Sequence, residues 1–242
     1  MKKVIIIVSG GMDSITLLHE IADRYLPENI LAISFNYGSK HNTMEIPMAI
    51  HNCAKLKIDH KIIDMVQVFS NFNSALLDKK DSEKIPKGHY EDSNMKKTVV
   101  SFRNGIFLSV ATGVAETVGA RQIYYGAHAG DFSIYPDCRP KFIEHMSKAA
   151  LFGTYNQVKI AAPYWKFTKA EILKRGVKLD VDYSMTHTCY NPQNGIACGS
   201  CGSCIERCTA FIVNGIKDPI KYQRSWKNQI EYTRKILNTK KK

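Results

Sequence analysis

Long apolar runs are missing from this 242-residue sequence, and no stretch approaches the ~20 residues that a bilayer-spanning helix needs. A secretory leader is missing too. Met1-Lys2-Lys3 is basic, but the apolar segment that follows, Val4 to Val8, runs directly into glycines rather than into a cleavage site. The chain has no GxxxxGK[ST] and no GxGxxG after a strand, which removes the Walker-type phosphate loop and the dinucleotide fingerprint. It has no internal repeat and no low-complexity segment beyond a lysine-rich end. These absences point to a cytoplasmic protein that does not enter a membrane.

Cysteine is not scarce. There are seven, and without an export signal they argue against a disulfide framework. Cys53 and Cys138 stand alone, whereas Cys189, Cys198, Cys201, Cys204 and Cys208 crowd together. Charge is uneven as well: +7 of the formal +12 falls from Lys217 onward. A solvated basic tail explains this more simply than a nucleic-acid surface does, and the rest of the chain is only mildly basic.

The first half alternates strand-like and helix-like segments. Val4–Val8 has buried-strand length, and Ile15, Leu18, Ile21 and Ala22 then share one helical face. "ILAISFNYG" reads as a second strand, "TMEIPMAIHNCAKL" as a helix with Pro47 in its first turn or at a kink, and "HKIIDM" as a third strand. "SFRNGIFLSVATGVAETVG", "RQIYYGAH", "RPKFIEHMSKAALFG" and "VKIAAPY" continue the alternation. "TKAEILKRG" carries the capping-box spacing Thr168/Glu171, and its helix is expected to end at Gly176. The pattern implies an α/β fold, a doubly wound, mostly parallel five-stranded sheet. Residues 1–180 form a nucleotide-binding domain, and 181–242 a metal-binding helical region with the basic tail. Residues 66–98 break the rhythm as a long polar insertion, either disordered or a lid.

At the end of the first strand stands Ser-Gly-Gly-Met-Asp-Ser, residues 9–14. Gly10 and Gly11 permit a sharp turn and close backbone approach, Ser9 and Ser14 offer hydroxyl donors, and the next helix aims its positive end at the same spot. These features make a pyrophosphate pocket at a strand's carboxyl end. Asp13 suits such a pocket if it holds Mg²⁺ or orients the loop. The motif resembles the SGGxDS loop of the PP-loop ATP pyrophosphatases, which implies ATP as cosubstrate and adenylation of a substrate oxygen. The resemblance places ATP along Val8 to Leu18, with Met12, Ile15, Thr16 and Leu17 in that stretch.

The spacing Cys189-x8-Cys198-x2-Cys201-x2-Cys204 suits a closed tetrahedral Zn²⁺ site, with tight knuckles at Gly199 and Gly202. Cys208, one turn beyond Cys204, competes as fourth ligand, and an iron–sulfur cluster is the rival to zinc.

Loop and cysteines together, with "FNYGSKHNTMEI", "FRNGIFLS" and "GAHAGDFSIYPDCRPKFI", resemble the 7-cyano-7-deazaguanine synthase family of queuosine biosynthesis. The resemblance implies that 7-carboxy-7-deazaguanine is adenylated, attacked by ammonia, adenylated again as the amide and collapsed to the nitrile. It implies catalytic roles for Asp13, Lys40 and Arg103. Asp131 and Asp137 would accept from the guanine-like edge, and Phe132 or Tyr135 would stack on the deazapurine. Arg139 would pair with the carboxylate, and Tyr37, His41, Asn104 and Ser133 would complete the substrate site. Related enzymes are often homodimers. Ser39-Lys40 and Ser101-Phe102 depart from the family's usual residues. An amide end product and a tRNA thiolase on the same fold are the alternatives, ahead of a nucleic-acid-binding zinc ribbon.

Overall fold

The computed structural model describes residues 2–81, 83–89 and 92–238. The lysines of the extreme C-terminus lie outside the described residues. Five strands, β1 (Val4–Ile7), β2 (Ile30–Asn36), β3 (Asp59–Asp64), β4 (Gln122–Tyr124) and β5 (Lys159–Ala161), form one sheet in the order β3-β2-β1-β4-β5. Every strand pair is parallel. Strand order reverses between β1 and β4, so their carboxyl ends flank the crevice where open α/β sheets place ligands.

Alternation along β1 explains the two layers. Ile5 enters a core with Ile33, Phe107, Leu108 and Ile123, whereas Val4 and Ile6 enter the opposite core with Ile15, Leu18 and Leu173. The helices on these faces are α1 (Met12–Ala22), α2 (Asn42–Lys55), the short α3 (Val66–Phe69), α4 (Arg103–Val118), α5 (Pro140–Phe152), α6 (Lys169–Lys178), α7 (Gly202–Val213) and α8 (Trp226–Asn238). The C-terminal region shares the second core through Ala210 and Phe211 on α7.

The structure adds to three of the sequence readings. Pro47 lies well inside α2, beyond its first turn. The Thr168/Glu171 capping box is present, but α6 runs past Gly176 to Lys178. Gly176 is required for packing: a Cβ there would lie 1.8 Å from the Tyr183 hydroxyl. The insertion at 66–98 is anchored. Phe69, Leu76, Leu77 and Met95 are buried in the first core, and Gly88 N–H donates to Ser200 O at 3.0 Å. None of its described residues lines the cavity at the β1/β4 crevice. The helical stretch Ser93–Val118 is apolar enough on average to resemble a membrane span, yet Phe107, Leu108, Ala111 and Ala115 are core residues of the sheet layer.

Candidate active site

The cavity opens where β1, β2 and β4 end, with Ile7, Ser34, Phe35, Tyr125 and Gly126 among its walls. The loop after β1 is held in shape by its own side chains. Ser9 Oγ accepts from Gly11 N–H at 3.1 Å, Ser14 Oγ accepts from Ser9 N–H at 3.2 Å, and Ser14 Oγ donates to Gly11 O at 3.1 Å. The serines therefore close the loop on itself rather than standing free as donors. Gly10 adopts φ +99°, and a Cβ there would come within 2.0 Å of Glu45 O, so a side chain is excluded twice over. Gly10 O accepts from His187 N–H at 2.9 Å, which ties the loop to the segment that leads into the cysteines.

Two polar clusters flank this loop. In the first, Lys169 Nζ lies 3.1 Å from Asp13 Oδ2 and 2.7 Å from Glu206 Oε2. His128 Nε2 is 3.8 Å from Asp13, 3.6 Å from Asp131 and 3.7 Å from Glu206. Burial opposes charge on both cations, but the surrounding carboxylates outweigh it and raise Lys169 and His128 above their ordinary values. Asp131 is raised, first by burial. It also caps the turn that follows His128, accepting from His128 N–H at 3.1 Å.

The second cluster gathers Tyr37, His41, Glu45 and Arg103. Arg103 Nη1 donates to Tyr37 Oη at 2.9 Å, and its guanidinium sits 5.3 Å from the Tyr37 ring centre and 6.0 Å from that of Tyr135. His41 Nε2 is 3.5 Å from Glu45 Oε2. Burial, with Arg103 and His187 nearby, lowers His41 to about 3, and burial raises Glu45 to about 8 against the pull of Arg103.

Of the residues singled out in the sequence, Val8, Ser9, Gly11, Met12, Asp13, Ser14, Tyr37, His41, Arg103, Asn104, Asp131 and Tyr135 line this one cavity. Others sit elsewhere. Ile15, Leu17 and Leu18 are fully buried in the core, and Thr16 donates to Met12 O. Lys40 Nζ reaches outward to Glu83 O at 3.1 Å. Asp137 is buried and accepts from Asn104 N–H at 2.8 Å, which satisfies the start of α4. Arg139 Nε donates to Phe132 O at 3.2 Å, and neither of those residues nor Ser133 lines the cavity.

Glu45, from the "FNYGSKHNTMEI" segment, also lines the cavity, as do His128, Lys169 and His187, which were not singled out from sequence; nor was Glu206, which joins the site through Lys169 and His128. Lys169 had a visible signal as the first residue after a capping Thr, but helix periodicity alone reads that position as solvent-facing.

Asp13 Oδ1 is buried without a hydrogen-bond partner among the described residues, while Oδ2 faces Lys169. One free carboxylate oxygen beside an anion pocket fits Mg²⁺, which takes one or two carboxylates and completes its shell with phosphate and water.

The sulfurs of Cys189, Cys198, Cys201 and Cys204 lie within 4.8 Å of one another, all buried, and this quartet could hold a metal ion. Cys189 Sγ accepts from Cys198 N–H at 3.2 Å, and Cys198 Sγ from Cys201 N–H at 3.4 Å. Gly199, at φ +65°, leaves room for the Gln229 amide, whose Nε2 donates to Gly199 O at 2.8 Å. Gly202 is simply the first residue of α7. Cys208 lies outside the quartet, beside Tyr222 and Thr233.

The family model described as "Queuosine biosynthesis protein QueC" matches residues 3–215. The chain is 48% identical over 221 residues to the 7-cyano-7-deazaguanine synthase of Hahella chejuensis, covering 91% of this chain and 93% of that protein. It is 47% identical to the synthase of the same name from Psychromonas ingrahamii, covering 92% of this chain and 98% of the relative. Among solved structures, the NMN synthetase of Francisella tularensis shares the fold, with a TM-score of 0.51, 15% identity and coverage of 100% of this chain and 87% of that one.

Proposed function

The chain belongs to the family of queuosine biosynthesis protein QueC, an enzyme family, and from that premise we propose that it converts 7-carboxy-7-deazaguanine, ATP and ammonia to 7-cyano-7-deazaguanine. The observation that carries the reading is a single cavity shared by the Ser9–Ser14 loop, the Asp13–Lys169 pair and Arg103.

The loop's backbone N–H groups other than those of Ser9 and Gly11, which the serine hydroxyls take, and the N-terminus of α1 hold the pyrophosphate end of ATP. Lys169 and Arg103 stand on either side of it, fixed cations that offset the charge developing as pyrophosphate leaves. Asp13 would hold Mg²⁺ through Oδ1, and the ion, when bound, supplies Lewis-acid stabilisation of the phosphates. The substrate carboxylate attacks the α-phosphorus, pyrophosphate departs, and ammonia displaces AMP from the acyl adenylate to give the amide. A second adenylation, at the amide oxygen, precedes collapse to the nitrile.

Tyr135 and Tyr37 offer ring faces to the flat deazapurine, and Asp131 an acceptor to its N–H edge. Asp137 and Arg139 serve from behind, the first by capping α4 at Asn104 and the second by bracing Phe132. The four thiolates hold a structural Zn²⁺. The enzyme works in the cytoplasm as a homodimer, which light scattering on a sizing column tests.

Incubation with 7-carboxy-7-deazaguanine, ATP, Mg²⁺ and an ammonium salt, followed by mass spectrometry, is the direct test. Nitrile accompanied by AMP is expected. An amide end product overturns the second adenylation, and absence of ATP consumption overturns the reading. Metal analysis of Cys204→Ser and Cys208→Ser checks the thiolate set: the first loses zinc and the second keeps it, and iron in the wild type overturns zinc.

A further inference from the structure

Glu45 has no part in the steps above, yet its position is among the most constrained in the site. The first turn of α2 is docked on the pyrophosphate loop, because Glu45 O occupies the space that a Gly10 side chain would need. The Glu45 side chain lines the cavity, and its Oε1 lies 3.9 Å from the point where a Cβ on Gly11 would stand. Among the described residues its one ion-pair contact is His41, at 3.5 Å. The charged and titratable groups that face it are His41 from the start of α2, Tyr37 from the end of β2, Arg103 from α4 and, behind His41, His187. A carboxyl thus stands at the wall of the adenylation site without the cation that pairs each acid of the opposite cluster.

The proposed reaction needs such a group. Between ammonia and nitrile, the nitrogen must lose every hydrogen it brought. Lys169, Arg103 and the loop N–H groups are donors and cannot take these protons, and the other acids of the site are engaged, Asp13 and Glu206 with Lys169 and Asp131 with His128.

Resting on the reaction proposed above, we infer that Glu45 is the general base of nitrogen transfer. As the ammonia lone pair bonds to the acyl carbon, the Glu45 carboxylate takes one proton from nitrogen. The bond from carbon to the AMP oxygen then breaks, its electron pair leaving with AMP. In the second round the amide oxygen bonds to the α-phosphorus of ATP and pyrophosphate leaves. Glu45 takes one proton from nitrogen to give the neutral imidate. It takes the last as the carbon–oxygen bond breaks and its electrons depart with AMP, leaving the carbon–nitrogen triple bond. Between steps Glu45 returns its proton to solvent across the cavity. Its carboxyl, raised to about 8, is matched to proton transfer in mildly alkaline solution. His41, lowered to about 3, stays neutral beside it and does not fix it permanently as an ion.

Glu45→Gln tests this, because the amide is isosteric with the protonated acid. Three rates are compared in wild type and variant: acid-dependent ATP–pyrophosphate exchange, amide formation from ammonia, and hydroxamate formation from hydroxylamine, whose nitrogen, once bonded to the acyl carbon, is acidic enough to give its proton to water. The expected result is exchange within about threefold of wild type and amide formation lowered by at least about 100-fold, the scale of a lost general base. Hydroxamate formation should fall by less than about tenfold, and the rise of amide formation with pH through about 8, followed at constant free-ammonia concentration, should vanish from the variant. Equal loss of amide and hydroxamate with intact exchange makes Glu45 a positioning residue and overturns the inference. Loss of exchange in the variant alone places Glu45 in adenylation or folding and overturns it too. A thermal melt and the Glu45→Asp variant, expected to recover part of the ammonia-dependent rate, tell misfolding from chemistry. Absence of exchange in the wild type overturns the parent reaction and this role with it, and is recognised because both proteins fail.

Discussion

His41 and His128 are each 2% exposed, line the same cavity and flank the same loop, yet their imidazoles are displaced in opposite directions. Burial pushes both toward neutrality. At His41 nothing reverses it: the nearest charge of consequence is the Arg103 cation, and the neighbouring Glu45, itself raised by burial, offers it less negative charge than an ordinary carboxylate. At His128, Asp131, Glu206 and Asp13 overcome burial, and the ring is raised. Burial is common to both sites, so the difference is made by which charges are brought alongside. One side of the loop is thereby a dense charged clamp, suited to phosphates and a cation, and the other a wall whose one fixed charge is Arg103, suited to a flat substrate and to proton transfer.

The largest expected effect comes from opening the charged side. Asp13→Ala should lower turnover by at least about 100-fold, the scale of losing one preorganised electrostatic contact. Its metal content should stay unchanged, since the cysteine quartet is separate; turnover and metal analysis on the same preparation check both. Next comes Lys169→Met, which leaves Asp13 and Glu206 with only the His128 ring between them. Breaking a buried pair this way should cost about 3 kcal/mol in urea denaturation, and an unchanged midpoint would show that the clamp is not held by charge.

A smaller effect separates the histidines by pH. His41 is depressed, so its contribution to stability is complete above its ordinary value of 6.5 and is lost as pH falls toward about 3. Between pH 6.5 and 5 that amounts to about 2 kcal/mol, at about 1.4 kcal/mol per pH unit. His128 is raised, so its contribution is complete below 6.5 and is lost as pH rises through its elevated value. Melting curves should therefore show His41→Asn flattening the acid limb and His128→Asn flattening the limb above neutrality. If both variants change the same limb, the contrast fails. Smallest of all, Lys40→Ala should change stability by no more than about 0.5 kcal/mol, as for an ordinary surface position. Its turnover should stay near wild type, because Lys40 points out of the cavity to Glu83. A large loss would extend the Arg103 wall to include it.

Much of this was legible in the residues. The run Val4–Val8 followed by two glycines specifies a strand, a tight turn and a helix through local sterics. The Cys189/198/201/204 spacing brings four thiols together through short knuckles, and the Thr168/Glu171 box caps α6 as expected. The site was legible only in part. Asp137 and Arg139 look like substrate ligands because they stand in a polar turn, but backbone groups claim them first: Asn104 N–H for the one, Phe132 O for the other. Lys169 and Glu206 look like solvent-facing helix residues until α6 and α7 pack side by side beneath the loop.

The sequence alone determined the parallel sheet, the pyrophosphate turn and the thiol quartet, because each depends on spacings of a few residues and on backbone preferences that act at short range. Only the tertiary structure decided in which direction each buried histidine is displaced and which named residues reach the cavity. Those depend on burial and on charges contributed by distant segments, from Asp13 to Glu206 on one side and from Tyr37 to His187 on the other, and no local pattern encodes a distance between helices.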